Sequence, residues 1–146
     1  MLTQALEQGV IEMNIEPIKI ANEFGKLVAV QYYCWEFEKE PPIFGACCLS
    51  FENGEVYHEV LPEYDEISCA TSLLDKFEIK KNMSDVSPWR KALGKKVLWL
   101  WKLENHQGYF DSIQYSFANT VEDEEIILQL MVCASQIKLY EIEKKL

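Results

Sequence analysis

The run Glu104-Asn105-His106-Gln107-Gly108, with Asp111 three residues further on, sets an imidazole between two carboxylates. Such a group is raw material for general acid–base chemistry, in which a positioned base takes a proton from a substrate within hydrogen-bond reach. That chemistry also needs an acceptor to orient the imidazole and a concave site to hold the substrate. The flanking residues argue against both. Residues 97–104 and 109–117 alternate apolar and polar side chains with a period of two, the pattern of half-buried strands. Asn105, His106, Gln107 and Gly108 therefore fall at a hairpin tip, where Asn and Gly adopt left-handed conformations at little cost. A hairpin tip is convex and wet, and no cysteine or serine is placed to use His106 as a base. The run is read as a turn with Asn105 and Gly108 as its structural residues, and no catalytic residue is assigned. Asp111 interrupts the apolar row Tyr109, Ile113, Tyr115, Phe117. A buried carboxylate needs donors, so Asp111 is expected to brace the turn through its backbone N–H groups.

The other chemistry-bearing residues are scattered. Cysteines stand at 34, 47, 48, 69 and 133, none in a C-x-x-C pair, and His58 sits in the alternating "EVYHEV". Adjacent Cys47 and Cys48 would point to opposite faces of a strand, which suits neither a mutual disulfide nor a shared metal. An odd count without a basic, apolar leader reads as reduced thiols packed as small hydrophobes, in the cytoplasm. His58 is read as an ordinary strand residue. No metal site and no cofactor are expected, and no glycine-rich phosphate loop or basic aromatic groove is present.

Charge divides the chain. Of its 146 residues, the first 66 hold 13 acidic side chains against Lys19, Lys26 and Lys39, while the rest hold 11 acidic and 11 basic. The whole net charge of −10 thus belongs to the first half. Such a field repels nucleic acid and anionic lipid and attracts a cationic partner. No run of 18 apolar residues suggests a membrane span. Glu36, Glu38 and Glu40 alternate with Trp35 and Phe37 and are expected to form a solvent-facing stripe on a strand. Glu59, Glu63, Asp65 and Glu66 form a second acidic cluster. A solvated face is the plain alternative for both, since acidity also confers solubility.

The elements that must position these residues come twice. "YCWEFE…IFGACCLSFEN" (33–53) aligns with "WLWKLE…YFDSIQYSFAN" (99–119) at an offset of 66, pairing Trp35 with Trp101, Glu38 with Glu104, Phe44 with Phe110 and Ser50-Phe51 with Ser116-Phe117. Upstream, "FGKLV" (24–28) aligns with "LGKKV" (93–97) at an offset of 69. The alignment predicts that Trp35 and Trp101 occupy equivalent buried positions. Pro17 with Gly25, and Ser87-Pro88 with Gly94, bracket two short helices, the first placing Ile18, Ala21 and Phe24 on one face. A further helix is expected near 2–8. More strands are expected at 55–61, 63–69, 126–133 and 136–142, and Asn53-Gly54 marks a tight hairpin. The expected fold is α+β, mainly antiparallel β with short helices, in a single domain over 1–146. Its pseudo-repeated helix-plus-strands units span about 17–67 and 87–142.

The pattern Asp65-Glu66-Ile67, Trp89, Leu93-Gly94-Lys95, Trp101, Asn105-x-Gln107-Gly108-Tyr109-x-Asp111 and Ala134-Ser135 resembles a family of small uncharacterised bacterial proteins, best over 60–146. The resemblance implies a bacterial source and supplies no activity. In size, acidity and lack of evident chemistry the chain also resembles immunity proteins of contact-dependent inhibition and other polymorphic toxin systems. That likeness implies binding and neutralisation of a cognate toxin domain, a nuclease in the first instance, with Glu36, Glu38, Glu40, Glu59, Glu63, Asp65 and Glu66 meeting its basic cleft. Two alternatives stay open: a structural or regulatory interaction module, homodimeric through free strand edges, and an enzyme in which Asp65 and Glu66 hold a divalent metal.

Overall fold

The computed structural model describes residues 14–143. The helix expected near 2–8 lies outside the described residues. Helix α1 (Pro17–Glu23) opens on a proline in its first turn and gives way to Gly25 at φ 80°. Pro suits the first turn because its missing N–H would have no helical partner there. The strands β1 (Leu27–Trp35), β2 (Ile43–Phe51), β3 (Gly54–Leu61), β4 (Glu66–Ile67) and β5 (Ile79–Asn82) form one sheet in the order β4-β3-β2-β1-β5. A single helical turn, α2 (Trp89–Ala92), leads into β6 (Val97–Glu104), β7 (Phe110–Phe117), β8 (Ile126–Cys133) and β9 (Gln136–Ile142), a four-stranded meander. Every pairing is antiparallel. The architecture is thus mostly antiparallel β in two sheets, and helix plays a small part among the described residues.

The two sheets share one core. Val30, Leu49, Phe51 and Val56 of the first pack with Ile113, Tyr115, Phe117, Leu128 and Leu130 of the second, and Trp89 of α2 joins them fully buried. Cys47 faces this core, whereas Cys48 belongs to a smaller cluster with Tyr33 and Ala46 on the other face of the first sheet. In α1 the buried residue is Ile20, with Phe24 close behind, while Ile18 points to solvent. The face expected for this helix was therefore rotated from the real one.

The pairing registers of the two leading hairpins match position for position. Leu27 pairs Phe51 and Ala29 pairs Ser50, skipping Val28; Val97 pairs Phe117 and Trp99 pairs Ser116, skipping Leu98. A second irregularity skips Gly45 in β2 and Asp111 in β7. Such bulges bend a strand and strengthen its twist. The match holds at an offset of 66 between β2 and β7, as the sequence alignment had it, but at 70 between β1 and β6. Trp101, opposite Gln114, therefore corresponds to Gln31, opposite Cys48, and not to Trp35. Nor are both tryptophans buried: Trp35 is half-buried at the end of β1 and Trp101 is exposed in mid-strand. Where the two units meet, Lys26 forms an isolated antiparallel bridge with Lys96, its own counterpart at the offset of 70. The Leu27 N–H donates to Lys95 O at 2.9 Å and the Gly94 N–H to Leu27 O at 2.8 Å.

Candidate functional site

Sheet order gathers the acidic segments. With β3, β2, β1 and β5 side by side and antiparallel, the β1–β2 connection, the end of β3 and the start of β5 lie at one end of the sheet. Glu36, Glu38 and Glu40 are exposed there, but on the connection and not on a strand. The alternating stripe is corrected accordingly: β1 ends at Trp35, and the chain turns with Lys39 at φ 66° and the Glu40 N–H donating to Phe37 O at 3.3 Å. Phe37 is exposed among these carboxylates. The Glu36 N–H donates to Glu78 Oε2 at 3.4 Å, which brings Glu78 to the same end. Asp75 joins it, accepting from Trp35 Nε1 at 3.1 Å. The sequence reading missed Asp75 and Glu78, because only the pairing of β5 with β1 places them there.

The second cluster divides by role. Glu59 is buried, a correction to its assignment as a partner-binding group. Its two carboxylate oxygens accept the backbone N–H groups of Leu74 at 2.7 Å and Asp75 at 2.9 Å. Burial pushes its carboxyl up from the usual range, and these two donors pull against that. Glu59 thus pins the 71–78 segment over the sheet's outer face, where Leu73 and Phe77 cover Tyr33, Ala46 and Cys48. Glu63 is exposed, and Asp65 and Glu66 are half-buried. Asp65 Oδ1 accepts both the N–H and the hydroxyl of Ser135 at 3.2 Å, and Glu66 Oε2 accepts the Phe110 N–H at 3.1 Å. Both carboxylates tie the first sheet to turns of the second, as does Tyr64 stacked on Tyr109 with centroids 5.0 Å apart. Among the described residues, no group of three or more His, Cys, Asp or Glu side chains is arranged to hold a metal ion.

At the 105–108 turn the brace is Asn105, not Asp111. Asn105 Oδ1 accepts the N–H groups of Gln107 at 2.9 Å and Tyr109 at 3.3 Å, and Gly108 adopts φ 87°. Asp111 occupies the bulge, half-buried, and its Oδ1 accepts the Ser112 hydroxyl at 3.2 Å. The bulge turns its side chain out of the apolar row, so it needs none of the turn's donors. His106 is exposed at the tip.

His58 is the buried imidazole. Its Nδ1–H donates to Ser68 O at 2.8 Å, which leaves Nε2 to accept the Tyr115 hydroxyl from the opposite sheet. Burial pulls its pKa down to about 4, so the ring is neutral near pH 7. Burial likewise pushes the Tyr115 hydroxyl well up, raises the Cys47 thiol and carries that of Cys69 to about 12. These thiols stay protonated and are poor nucleophiles. All five cysteines are free, with Cys34, Cys47, Cys48 and Cys69 buried. A second polar pair crosses nearby, where Trp89 Nε1 donates to the Tyr32 hydroxyl at 2.6 Å.

Fold and site define a two-sheet antiparallel β protein in which one imidazole, His58, and four thiols, Cys34, Cys47, Cys48 and Cys69, are built into the interior, while Glu36, Glu38, Glu40 and Glu63 stand exposed. Over residues 13–145 the chain matches a family of unknown function, DUF6334, and it belongs to that family. Neither a curated protein nor a solved structure matches it. Among the described residues, no helix is long and apolar enough to cross a membrane.

Proposed function

We propose that this is a cytoplasmic, non-enzymatic binding protein whose acidic end docks a cationic protein partner. The observation that carries the reading is the gathering of Glu36, Glu38, Glu40 and Glu63, with Asp75 and Glu78, at one end of the first sheet, where they outnumber Lys39, Lys76 and Lys80. Such a concentration focuses a negative potential outward and steers a basic surface towards it. A toxin nuclease is a partner of this kind, since it grips phosphates in a basic cleft that an acidic plug can fill; the chain then acts as its immunity protein. The buried His58 and thiols support binding over catalysis, because each is occupied in the core. The shared hairpin registers further support a pseudo-repeated architecture, with units near 17–67 and 87–142.

The test is association kinetics with basic nuclease toxin domains, any encoded next to this chain's gene first among them, across a salt series. Neutralising Glu36, Glu38, Glu40 and Glu63 together to Gln should slow association at low salt by about tenfold or more, and the difference should shrink as salt rises. Neutralising Glu122, Asp123 and Glu124 should matter less, since that half of the chain is charge-balanced. A flat salt response, or equal effects from the two sets, would reduce the acidic excess to a device for solubility.

A further inference from the structure

The two sheets treat their outer faces differently. That of the first sheet is covered by its own chain, with Leu73 and Phe77 over Tyr33, Ala46 and Cys48, and Trp35 against Phe77 at 4.9 Å. The second sheet has no such cover among the described residues. Register sets its outer side chains in rows across all four strands. One row runs Trp99, Ser116, Ile127, Ile142; the next runs Trp101, Gln114, Gln129, Tyr140. The third row runs Leu103, Ser112, Met131, Lys138, and beyond it Cys133, Gln136 and, at the bulge beside Ser112, Asp111 end the face. Trp99 is 50% exposed, Trp101 43%, Tyr140 40% and Ile142 38%, and Lys138 is the sole charged side chain in the three rows.

We infer that this face packs against the same face of a second copy, about a two-fold axis that crosses the strands at the middle row. Area is the first ground. Four strands about 4.8 Å apart, three of eight residues and β9 of seven, at about 3.3 Å per residue make a face of about 500 Å² in plan. Two such faces remove roughly 1,000 Å² or more of accessible surface, which is where specific interfaces begin. Charge is the second ground. In a chain of net charge −10, two copies meet without strong repulsion only on a surface poor in carboxylates; the three rows hold none, and Asp111 stands at the end of the third row, on the same side of the face as Lys138. At its margin, Glu125 reaches the first row and accepts the Ser116 hydroxyl at 2.8 Å, whereas Lys138 lies in the third row. An axis crossing the strands exchanges first and third rows, so Lys138 of each copy moves towards the Glu125 end of the other. The chosen axis also lays Trp101 and Tyr140 on their own counterparts, as a self-complementary interface requires. The acidic end of the first sheet stays free in both copies.

Sedimentation velocity across micromolar concentrations decides the matter. Wild type should run as a dimer of the 17.0 kDa chain, and its tryptophan emission should shift to the red on dilution as Trp99 and Trp101 regain water. Trp101→Lys should be monomeric with an unchanged circular dichroism spectrum, since the residue lies on the surface. Lys138→Glu should weaken the dimer at least tenfold at low salt, while the fourfold Gln variant of the acidic end should dimerise normally. A chain that is monomeric throughout, or a dimer that survives both Trp101→Lys and Lys138→Glu, would overturn the inference. The second result would place the contact on a strand edge, and monomers that bind a different protein through Trp101 would assign the face to that protein.

Discussion

At the scale of single residues, His58 has the clearest consequence for solution behaviour. Its ring takes up a proton near pH 6.5 when unfolded and only near pH 4 when folded. Stability is therefore whole above about pH 6.5 and falls as pH drops towards 4, at about 1.4 kcal/mol per pH unit and about 3 kcal/mol in all. Glu59 works the other way: its raised folded pKa costs stability as pH rises through the carboxylate range, so it offsets part of the loss at the acid end. Urea unfolding at pH 7 and pH 5 should show wild type weaker at pH 5, and His58→Leu should remove most of that difference. Tyr115→Phe alone leaves Nε2 without its donor and should cost about 1–3 kcal/mol, whereas adding His58→Leu should recover part of the loss, because both ends of that bond are then apolar. A double variant no more stable than Tyr115→Phe would mean that the hydrogen bond is not what holds the pair. None of this was legible in "EVYHEV". The acceptor Ser68 lies on a loop and the donor Tyr115 is 57 residues away on the other sheet. Period-two alternation places His58 on a face, and only tertiary structure says what meets it there.

Among the elements, what alternation reads it reads well, and what depends on connections it misses. The strands from β6 to β9 follow the expected ranges closely, and the turn at 105–108 is a turn. The expected strand at 63–69 shrinks to Glu66–Ile67, because Asp65 at φ 49° closes a turn just before it. Strand β5, "IKKN", carries no alternation to announce it and forms by pairing with β1. The Trp35–Trp101 match failed for a related reason. Nine residues separate Cys34 from Phe44 but five separate Glu104 from Phe110, so one offset cannot serve both strands of the hairpin. Of the acidic site, Glu36, Glu38, Glu40 and Glu63 were legible as exposed groups, whereas the burial of Glu59 was not, since its donors come from a loop 15 and 16 residues on. Gly45 belongs to this scale. A Cβ there would lie 2.6 Å from Phe77 and 2.7 Å from Trp35. Gly45→Ala must therefore push the two rings off the bulge, at a cost of about 1–3 kcal/mol. Thermal unfolding should register that cost, and limited proteolysis should show faster cleavage within 71–78. Unchanged cleavage would show that Glu59 holds the segment without the rings.

For the molecule as a whole, each sheet supplies half of one apolar layer, and neither can bury its inner face without the other. Two greasy sheets could slide over one another at little cost. The His58–Tyr115 bond and the pins from Asp65 to Ser135 and Glu66 to Phe110 fix their alignment. Unfolding of the monomeric Trp101→Lys variant should accordingly be all-or-none, with tryptophan fluorescence and far-ultraviolet circular dichroism following one urea transition. Separate midpoints would mean that one sheet outlives the other. The seam at Lys26 and Lys96 sharpens this expectation. There the N–H groups of Leu27 and Gly94 cross from one ladder to the other, and Leu27 is fully buried. Ordinary strand amides can trade their protons for deuterium through local fraying of a single sheet, but the Leu27 amide is owned by both. It should be among the last protons to leave, exchanging only when the entire chain opens, and its exchange rate becomes a direct clock for global unfolding.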